Sequence, residues 1–456
     1  MKALLDKLLH GKSVVILGYG REGQSTFKLL RKYFPLLKLT IADADETISN
    51  RHSDLQSSAV KLNLGKNYLD RLNEYDVIIK SPGISLAKAD VFIDTKKITS
   101  QADIFLQAYS NRITGITGTK GKSTTASLIY HIYKKQSSDA VLLGNIGLPF
   151  FDALDSLTTQ TRIVCELSSH QLEYISVAPH VSILTNIFEE HLDHYASFAA
   201  YQQAKFQIAL KQKRGDYFIY SSGDERIAHL LSTQEIPGLA VPVHTGTFSN
   251  AGPGILDNAL TLKLEQHTQK IISSTPPTRL LGTHNLQNIY MAAVAAHLSG
   301  ISSENIANGI EDFQPLEHRL EYCETAGTAQ FYNDSISTIP EATLAALASL
   351  KNVYTLIAGG YDRGIDYSKF AVALSGMPLK HILLTGPAGR HIYDLILSGK
   401  KCVAEVQHFE RFDDAVYRAI SITPANQICL LSPAASSYDQ FSSFEERGKR
   451  FKQLVK

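Results

Sequence analysis

Short apolar runs alternate with amphipathic stretches along most of the chain, and three of these runs start with the same rhythm of apolar strand, glycine turn and helix. The first is SVVILGYGREGQSTFKLLRKYF from Ser13. The second begins at Arg112, where RIT precedes ITGTKGKSTT and the helical segment ASLIYHIYKK. The third is VYTLIAGGYDRG from Val353, followed by HILLTGPAGRHIYDLI from His381 and ICLLSPAASSYDQF from Ile428. Nearly continuous apolar strands separated by helices predict parallel sheets covered by helices. Three separate starts predict three α/β domains rather than one large sheet. The polar stretch 107–112 and the segment 312–319, which carries Pro315, read as the connections, so the expected domains are 1–110, 111–314 and 315–456. Between Tyr217 and Thr283 the pattern turns to short strands with Gly, Pro and Ser turns, which predicts a β-rich part of the middle domain.

With 456 residues there is room for several domains, each with its own core. A hydrophobic fraction of 44% and a charged fraction of 20% are ordinary for a globular protein. The net charge of +1 supplies no pull toward nucleic acid or an anionic membrane, and neither is expected as a partner. Cys165, Cys323, Cys402 and Cys429 lie far apart without CxxC spacing and read as small buried residues of a reduced protein. The N-terminal apolar run is broken by Asp6, Lys7, His10 and Lys12, unlike a signal peptide, and no charge-free apolar run is long enough to span a bilayer. The expected location is the cytoplasm.

The chemistry starts at residues 116–125. A glycine-rich turn between strand and helix aims backbone N–H groups at a phosphate chain, and the helix N-terminus adds a favourable dipole. Lys122 would place a point charge near the β- and γ-phosphates, and Ser123 a hydroxyl near Mg²⁺. The strict P-loop pattern wants Gly at position 116, where this chain has Ile116, so the loop reads as a shortened variant for a nucleoside triphosphate.

Gly18, Gly20 and Gly23, with Asp43 closing the next strand, form a dinucleotide fingerprint. A pyrophosphate-and-ribose site suits a nucleotide sugar equally, and Arg21 and Glu22 put long charged side chains into the turn. The turn KSPGIS at 80–85 ends another strand, where open α/β sheets bind ligands. Downstream, Glu166 follows the strand RIVC, a position suited to a Mg²⁺ carboxylate beside a P-loop. Glu189, Glu190, His191, Asp193 and His194 suggest either metal chemistry or a solvated acidic turn. Lys205, on a predicted helix, reads on pattern alone as a surface charge. Asn285 and Asn288 lie one helical turn apart, where amides serve a phosphate, a base edge or a helix cap.

In their order, GTKGKST, GNIG, ELSSHQLE, EEHLDHY, THNLQN, EHRLE, NDSIST, SPAASSYDQF and FEERG resemble the Mur ligase family over nearly the whole chain. The resemblance implies an N-terminal Rossmann-like UDP-binding domain, a central P-loop ATP-binding domain with a mixed or parallel sheet, and a C-terminal Rossmann-like domain. It implies a monomeric cytoplasmic ligase of peptidoglycan precursor synthesis. ATP would activate the carboxylate of UDP-N-acetylmuramoyl-L-alanine as an acyl phosphate, and glutamate would then be joined to it.

Carried over residue by residue, Gly118, Thr119, Lys120, Gly121, Lys122, Ser123 and Thr124 would hold the ATP phosphates. Asn285, Asn288, Arg319 and Asp334 would contact the rest of the nucleotide. Ser123, Glu166, His191 and Lys205, the last as a carbamate, would bind two Mg²⁺ ions, with Lys122, Lys205 and His191 catalytic. Arg21, Glu22, Asp43, Ser81, Pro82, Gly83 and Asn145 are similar to UDP-sugar contacts. Thr338, Arg363, Ser437, Tyr438 and Phe444 would form the glutamate pocket.

One departure matters. The family's NDSKAT motif is NDSIST here, and Ile336 cannot make the ion pair of the usual lysine. Arg363 would supply the cation instead. D-glutamate is the default substrate, and NDSIST with the arginine in YDRG is also similar to a branch that adds L-glutamate. A folate-type polyglutamate ligase would lack the UDP site, and a nicotinamide-dependent dehydrogenase would leave the P-loop unexplained.

Overall fold

Each of the three glycine-turn starts grows into its own sheet. A computed structural model describes residues 1–456 apart from 87–91, 193, 245–253, 257–258, 265–266, 273–276, 281, 324, 326, 351 and 400–401. The chain forms two compact units, one of residues 1–277 with 286–312 and one of 278–285 with 313–456.

In the first unit, β1 (Val14–Leu17), β2 (Leu39–Asp43), β3 (Val60–Leu64), β4 (Val77–Lys80) and β5 (Ile98–Thr99) make a parallel sheet in the order β3-β2-β1-β4-β5. Every residue of β1 and β4 is buried, as expected for strands covered on both faces. The order reverses beside β1, so its C-terminal end, with that of β4, forms the crevice where open α/β sheets bind ligands.

The same unit holds a second parallel sheet, built from β6 (Ile113–Thr117), β7 (Ala140–Gly144), β8 (Arg162–Glu166), β9 (Val181–Leu184), β10 (Tyr217–Ser221) and β11 (Leu239–Val243), in the order β11-β10-β9-β6-β8-β7. Its β6 is again at the reversal. A separate antiparallel sheet follows, of β12 (Gly254–Leu256), β13 (Ala259–Leu264) and β14 (His267–Ile272).

The second unit carries a mixed sheet. Its strands are β15 (Glu321–Cys323), β16 (Gln330–Asn333), β17 (Val353–Gly359), β18 (His381–Thr385), β19 (Glu405–Phe409) and β20 (Ile428–Leu431), in the order β15-β16-β20-β17-β18-β19. Only β15 runs antiparallel to its neighbour. The expected α/β class with three sheet-centred domains of Rossmann and P-loop character is what the chain builds.

Three local expectations change. The expected strand at 112–114 is instead β6, which runs on to Thr117, while Arg112 closes a 3₁₀ turn. Residues 107–109 end the helix Gln101–Tyr109 instead of joining a polar linker. The β-rich stretch from Tyr217 contains the helix Glu225–Thr233, started by Asp224, whose side chain accepts from Arg226 N and Ile227 N. That N-cap signal stands in the sequence, but a nine-residue helix between two strands gives little periodicity to read.

Candidate active site

The P-loop is short because β6 runs through Thr117. Ile116 is a fully buried strand residue that pairs with Glu166 of β8, so it belongs to the sheet core and a glycine there has no turn to serve. The turn is residues 118–121, and the helix Lys122–Gln136 starts at the lysine itself. Gly118 has φ +143°, and a Cβ there would lie 1.9 Å from Thr185 Oγ1. Gly121 has φ +84°, and a Cβ there would lie 2.6 Å from Asn288 Oδ1, which places that amide against the loop.

Residues the motif does not contain hold the turn open. Asn186 accepts from Thr119 N at 2.9 Å through its carbonyl and from Lys120 N at 2.8 Å through Oδ1, while Thr185 Oγ1 donates to Lys120 O at 2.7 Å. The Thr119 hydroxyl meets Tyr201 OH at 2.9 Å. Ser123 and Thr124 occupy the first helical turn, and Lys122 Nζ donates to Gly118 O at 2.9 Å and Thr119 O at 3.0 Å.

Lys205, read from pattern alone as a surface charge, is only 2% exposed on the helix Phe198–Leu210. Its Nζ donates to Gly118 O at 2.8 Å and sits 4.8 Å from the centre of the Tyr201 ring. Burial, and then the neighbouring charge of Lys122, hold this amine well below the usual lysine range.

Glu166 closes β8 and is 1% exposed. Asn145 Nδ2 donates to its Oε1 at 2.7 Å, and its Oε2 is buried with no hydrogen-bond partner among the described residues. His191 adopts φ +59°, rare for a side chain with a Cβ, with its Nε2 4.0 Å from Glu190 Oε2. Asp193 lies outside the described residues. No three His, Cys, Asp or Glu side chains among the described residues form a ready-made metal cage. Mg²⁺ needs none when substrate phosphates and water complete its octahedron, and a buried unpartnered carboxylate oxygen beside a phosphate loop suits such an ion.

The seven residues expected around the UDP-sugar, Arg21, Glu22, Asp43, Ser81, Pro82, Gly83 and Asn145, line a single cleft of about 490 Å³. The glycines that open it divide the work. Gly18 turns the chain with φ +88°, and at Gly23 a Cβ would lie 2.0 Å from Gly18 O, so the helix Arg21–Tyr33 could not approach the strand. At Gly20 a Cβ would meet nothing within 4 Å, leaving that surface open to a ligand. Asp43 accepts from Tyr19 N at 2.7 Å and Asp45 N at 2.9 Å, so its carboxylate shapes the turn as well as facing the cleft. Arg21 donates to Gly147 O at 2.6 Å.

Sequence reading missed Ser168, His170 and Gln171, which line the same cleft. The His170 ring lies parallel to Tyr195, with centroids 5.6 Å apart, and close to His194 and His191 at 4.1 Å and 4.9 Å. Burial first, then the neighbouring histidines, push its pKa down to about 3. Behind it Lys80 Nζ lies 3.4 Å from Glu173, whose carboxylate is 3.6 Å from His194 Nε2. Burial also raises the Glu22 carboxyl, against the hydrogen bond from Gln171.

In the second unit, Arg319 lies between His318 and Leu320, both with positive φ (64° and 45°). The strained turn is held by the buried His318 ring, whose Nδ1 meets Asn333 Nδ2 at 2.9 Å. The glycine of FEERG makes room for that ring, since a Cβ at Gly448 would lie 2.2 Å from His318 Nδ1. Asp334 follows β16 and accepts from Leu320 N at 3.2 Å and Ser432 Oγ at 2.8 Å; burial lifts its carboxyl to about 6. Asn285 is buried within the helix Thr283–Leu298 and, like Asn288, lies beyond its first residue and so is not a cap.

Of the expected glutamate residues, Arg363 Nη2 donates to Thr338 O at 3.1 Å, Ser437 is buried and Tyr438 is 66% exposed. Phe444 starts the helix Phe444–Val455 and accepts from Ser335 Oγ at 2.8 Å. Arg447 ties these loops together. Fully buried, it donates to Ser335 Oγ and O at 3.0 Å, Ala435 O at 3.1 Å and Ser436 O at 3.2 Å. Burial pushes its pKa down to about 10.

Comparison with known proteins agrees along the chain. Residues 12–99 match the Mur ligase MurD-like N-terminal domain, 116–296 the Mur ligase middle domain, and 318–435 the Mur ligase glutamate ligase domain. A UDP-N-acetylmuramoylalanine--D-glutamate ligase of Ruminiclostridium cellulolyticum is 30% identical over 98% of this chain and 97% of that protein. One of the same name from Thermoanaerobacter sp. (strain X514) is 31% identical over 98% of each. Among solved structures, UDP-N-acetylmuramate-alanine ligase MurC from Thermotoga maritima shares the fold with a TM-score of 0.55 at 18% identity, covering 97% of this chain and 98% of that one. MurF from Acinetobacter baumannii does so with a TM-score of 0.59 at 17% identity, covering 98% and 92%.

Proposed function

Because the chain belongs to the Mur ligase family, we propose that it is the ATP-dependent ligase that joins glutamate to UDP-N-acetylmuramoyl-L-alanine in peptidoglycan precursor synthesis, acting in the cytoplasm as a monomer. The observation that carries the reading is Asn145. Its side chain lines the nucleotide-sugar cleft while its amide holds Glu166, so the acceptor site ends where the phosphate loop begins. The three domains, 1–110, 111–314 and 315–456, are part of the same proposal.

The acceptor carboxylate attacks the γ-phosphorus of ATP, and ADP leaves. The amine of glutamate then attacks the acyl carbon of the resulting acyl phosphate, and phosphate leaves. No side-chain nucleophile is needed. Lys122 and the N–H groups of the 118–121 turn stabilise charge on the phosphates, and the cleft residues Arg21, Glu22, Asp43, Ser81, Pro82 and Gly83 orient the acceptor. Ser123, Glu166, His191 and Lys205 as a carbamate would hold two Mg²⁺ ions, which supply the charge that offsets repulsion between an anionic nucleophile and a triphosphate. The buried unpartnered oxygen of Glu166 supports the metal, and a buried lysine whose amine is pushed toward neutrality supports carbamate formation. Asn285, Asn288, Arg319 and Asp334 would contact the nucleotide, and Thr338, Arg363, Ser437, Tyr438 and Phe444 the amino acid.

D-glutamate is the amino acid in the relatives' names. Ile336, half-buried beside Thr338, favours a second reading with L-glutamate, because the pocket lacks the usual lysine and offers Arg363 instead. Phosphate release with ATP, Mg²⁺, UDP-N-acetylmuramoyl-L-alanine and each enantiomer in turn tests both. Release with D-glutamate supports the first reading, release with L-glutamate alone the second, and no release with either overturns the ligase.

A further inference from the structure

The short helix Ser169–Leu172 is anchored at both ends of a capping box. Ser168 Oγ accepts from Gln171 N at 3.2 Å while Gln171 Oε1 accepts from Ser168 N at 3.0 Å. Gln171 Nε2 then donates to Glu22 Oε1 at 2.6 Å, across to the N-terminal wall of the cleft. His170 sits between these fixed residues and lines the cleft. Its ring is clamped against Tyr195 and beside His191 and His194, yet its Nε2 is buried with no hydrogen-bond partner among the described residues.

A buried polar nitrogen left unpaired costs about 1–3 kcal/mol, and an apolar ring would fill the same stack without that cost. Such a group is explained when a ligand completes its bond. The position says which part of the ligand. Gly18 and Asp43 line the cleft from the N-terminal sheet, whereas Asn145, bonded to Glu166, lines it from the sheet that carries the phosphate loop. His170 belongs to the second wall, since it follows β8 four residues after Glu166 and its ring neighbours His191.

We infer that His170 is a substrate-binding residue for the peptidyl end of the acceptor, its Nε2–H donating to the alanyl carboxylate or the amide carbonyl next to it and so aiming the oxygen that is phosphorylated. The inference rests on the acceptor being the nucleotide sugar proposed above, and it assigns recognition of the amino-acyl portion, as opposed to the nucleotide, to this one imidazole.

The test is calorimetric titration of the full chain without ATP, using UDP-N-acetylmuramoyl-L-alanine and, as a ligand lacking the peptidyl end, UDP-N-acetylglucosamine. His170→Phe keeps a flat ring against Tyr195 and removes the donor. It should weaken binding of the first ligand by about tenfold and leave the second unchanged. His170→Gln, which keeps a donor, should recover part of the loss and guards against misfolding of the first variant. Unchanged binding of the first ligand by His170→Phe, or equal loss of both ligands, overturns the inference while the ligase reading stands. Failure of the unsubstituted protein to bind UDP-N-acetylmuramoyl-L-alanine overturns the ligase reading and this inference with it.

Discussion

The phosphate loop in the first unit and the SPAASSYDQF loops in the second are both built at the C-terminal ends of parallel strands, yet they are held in different ways. The phosphate loop is fixed by many small bonds to backbone: Asn186, Thr185, Lys122 and Lys205 all reach main-chain groups of residues 118–120. The loops around Ser335 and residues 435–436 share one buried guanidinium, Arg447, which adds to backbone bonds such as Tyr361 N to Ser436 O and Ala434 N to Ser337 O, while the side chains expected to read the substrate, such as Arg363 and Tyr438, are solvent-accessible. A loop whose ligand is always a phosphate chain can be rigid throughout. One that must distinguish amino acids keeps a rigid base and varies the groups at its rim.

The largest effect tests the first half of that contrast. Lys122→Ala leaves the many other loop bonds in place, so the fold should survive while phosphate release falls by about 10³-fold, because charge stabilisation of the transferred phosphoryl group is lost. A melting temperature that fell as steeply as the rate would mean that the lysine holds the loop up instead. On the other side, Arg447→Met removes the guanidinium bonds to the buried carbonyls of Ser335 and Ala435, while Ser436 O keeps Tyr361 N and Ser335 Oγ keeps Phe444 O. It should cost the second unit about 3 kcal/mol, seen as a lower denaturant midpoint. A variant as stable as the parent would mean that the other bonds of these loops suffice without the guanidinium.

Much of the first half could be read in the sequence, because its signals are local. Three strand–glycine–helix starts gave three sheets, and all seven residues carried over for the nucleotide sugar line one cleft. The environment of Lys205 was not readable. Its burial comes from Gly118 and Tyr201, which a helical pattern cannot bring to it, and only the family resemblance singled it out. His170 was hidden for the same reason: its motif was visible in ELSSHQLE, but the ring stack in which its Nε2 has no partner among the described residues is tertiary. Arg447 stood only within the FEERG motif with no role assigned to it, since nothing in a charged amphipathic stretch marks an arginine that turns inward.

A smaller effect separates stability from chemistry in the second unit. Burial raises the Asp334 carboxyl to about 6, above its unfolded value of ~3.9. Between those values the folded chain holds a proton that the unfolded chain has released. The contribution is therefore complete below about pH 4 and is lost as pH rises through about 6, on the order of 3 kcal/mol. Asp334→Asn should flatten the stability–pH profile over that window. A slope that persists in the variant would place the titration elsewhere.

The smallest effect bears on the rim and on the identity of the amino acid. Ile336 stands where the family has a lysine, one residue from buried Ser335, which Arg447 anchors, and two from Thr338, whose carbonyl holds Arg363. If the base is rigid and only the rim selects, a new charge at 336 should change selectivity without unsettling the fold. An exposed ion pair is worth about 1 kcal/mol. Ile336→Lys should therefore shift the D-to-L ratio of kcat/KM for glutamate by up to about fivefold toward D, with the KM for ATP and the melting temperature unchanged. Arg363→Ala should raise the KM for whichever enantiomer the parent prefers. A lysine at 336 that left the ratio untouched would mean that enantiomer choice is made by the anchored backbone of the base, and the division between rigid floor and selective rim would have to be abandoned.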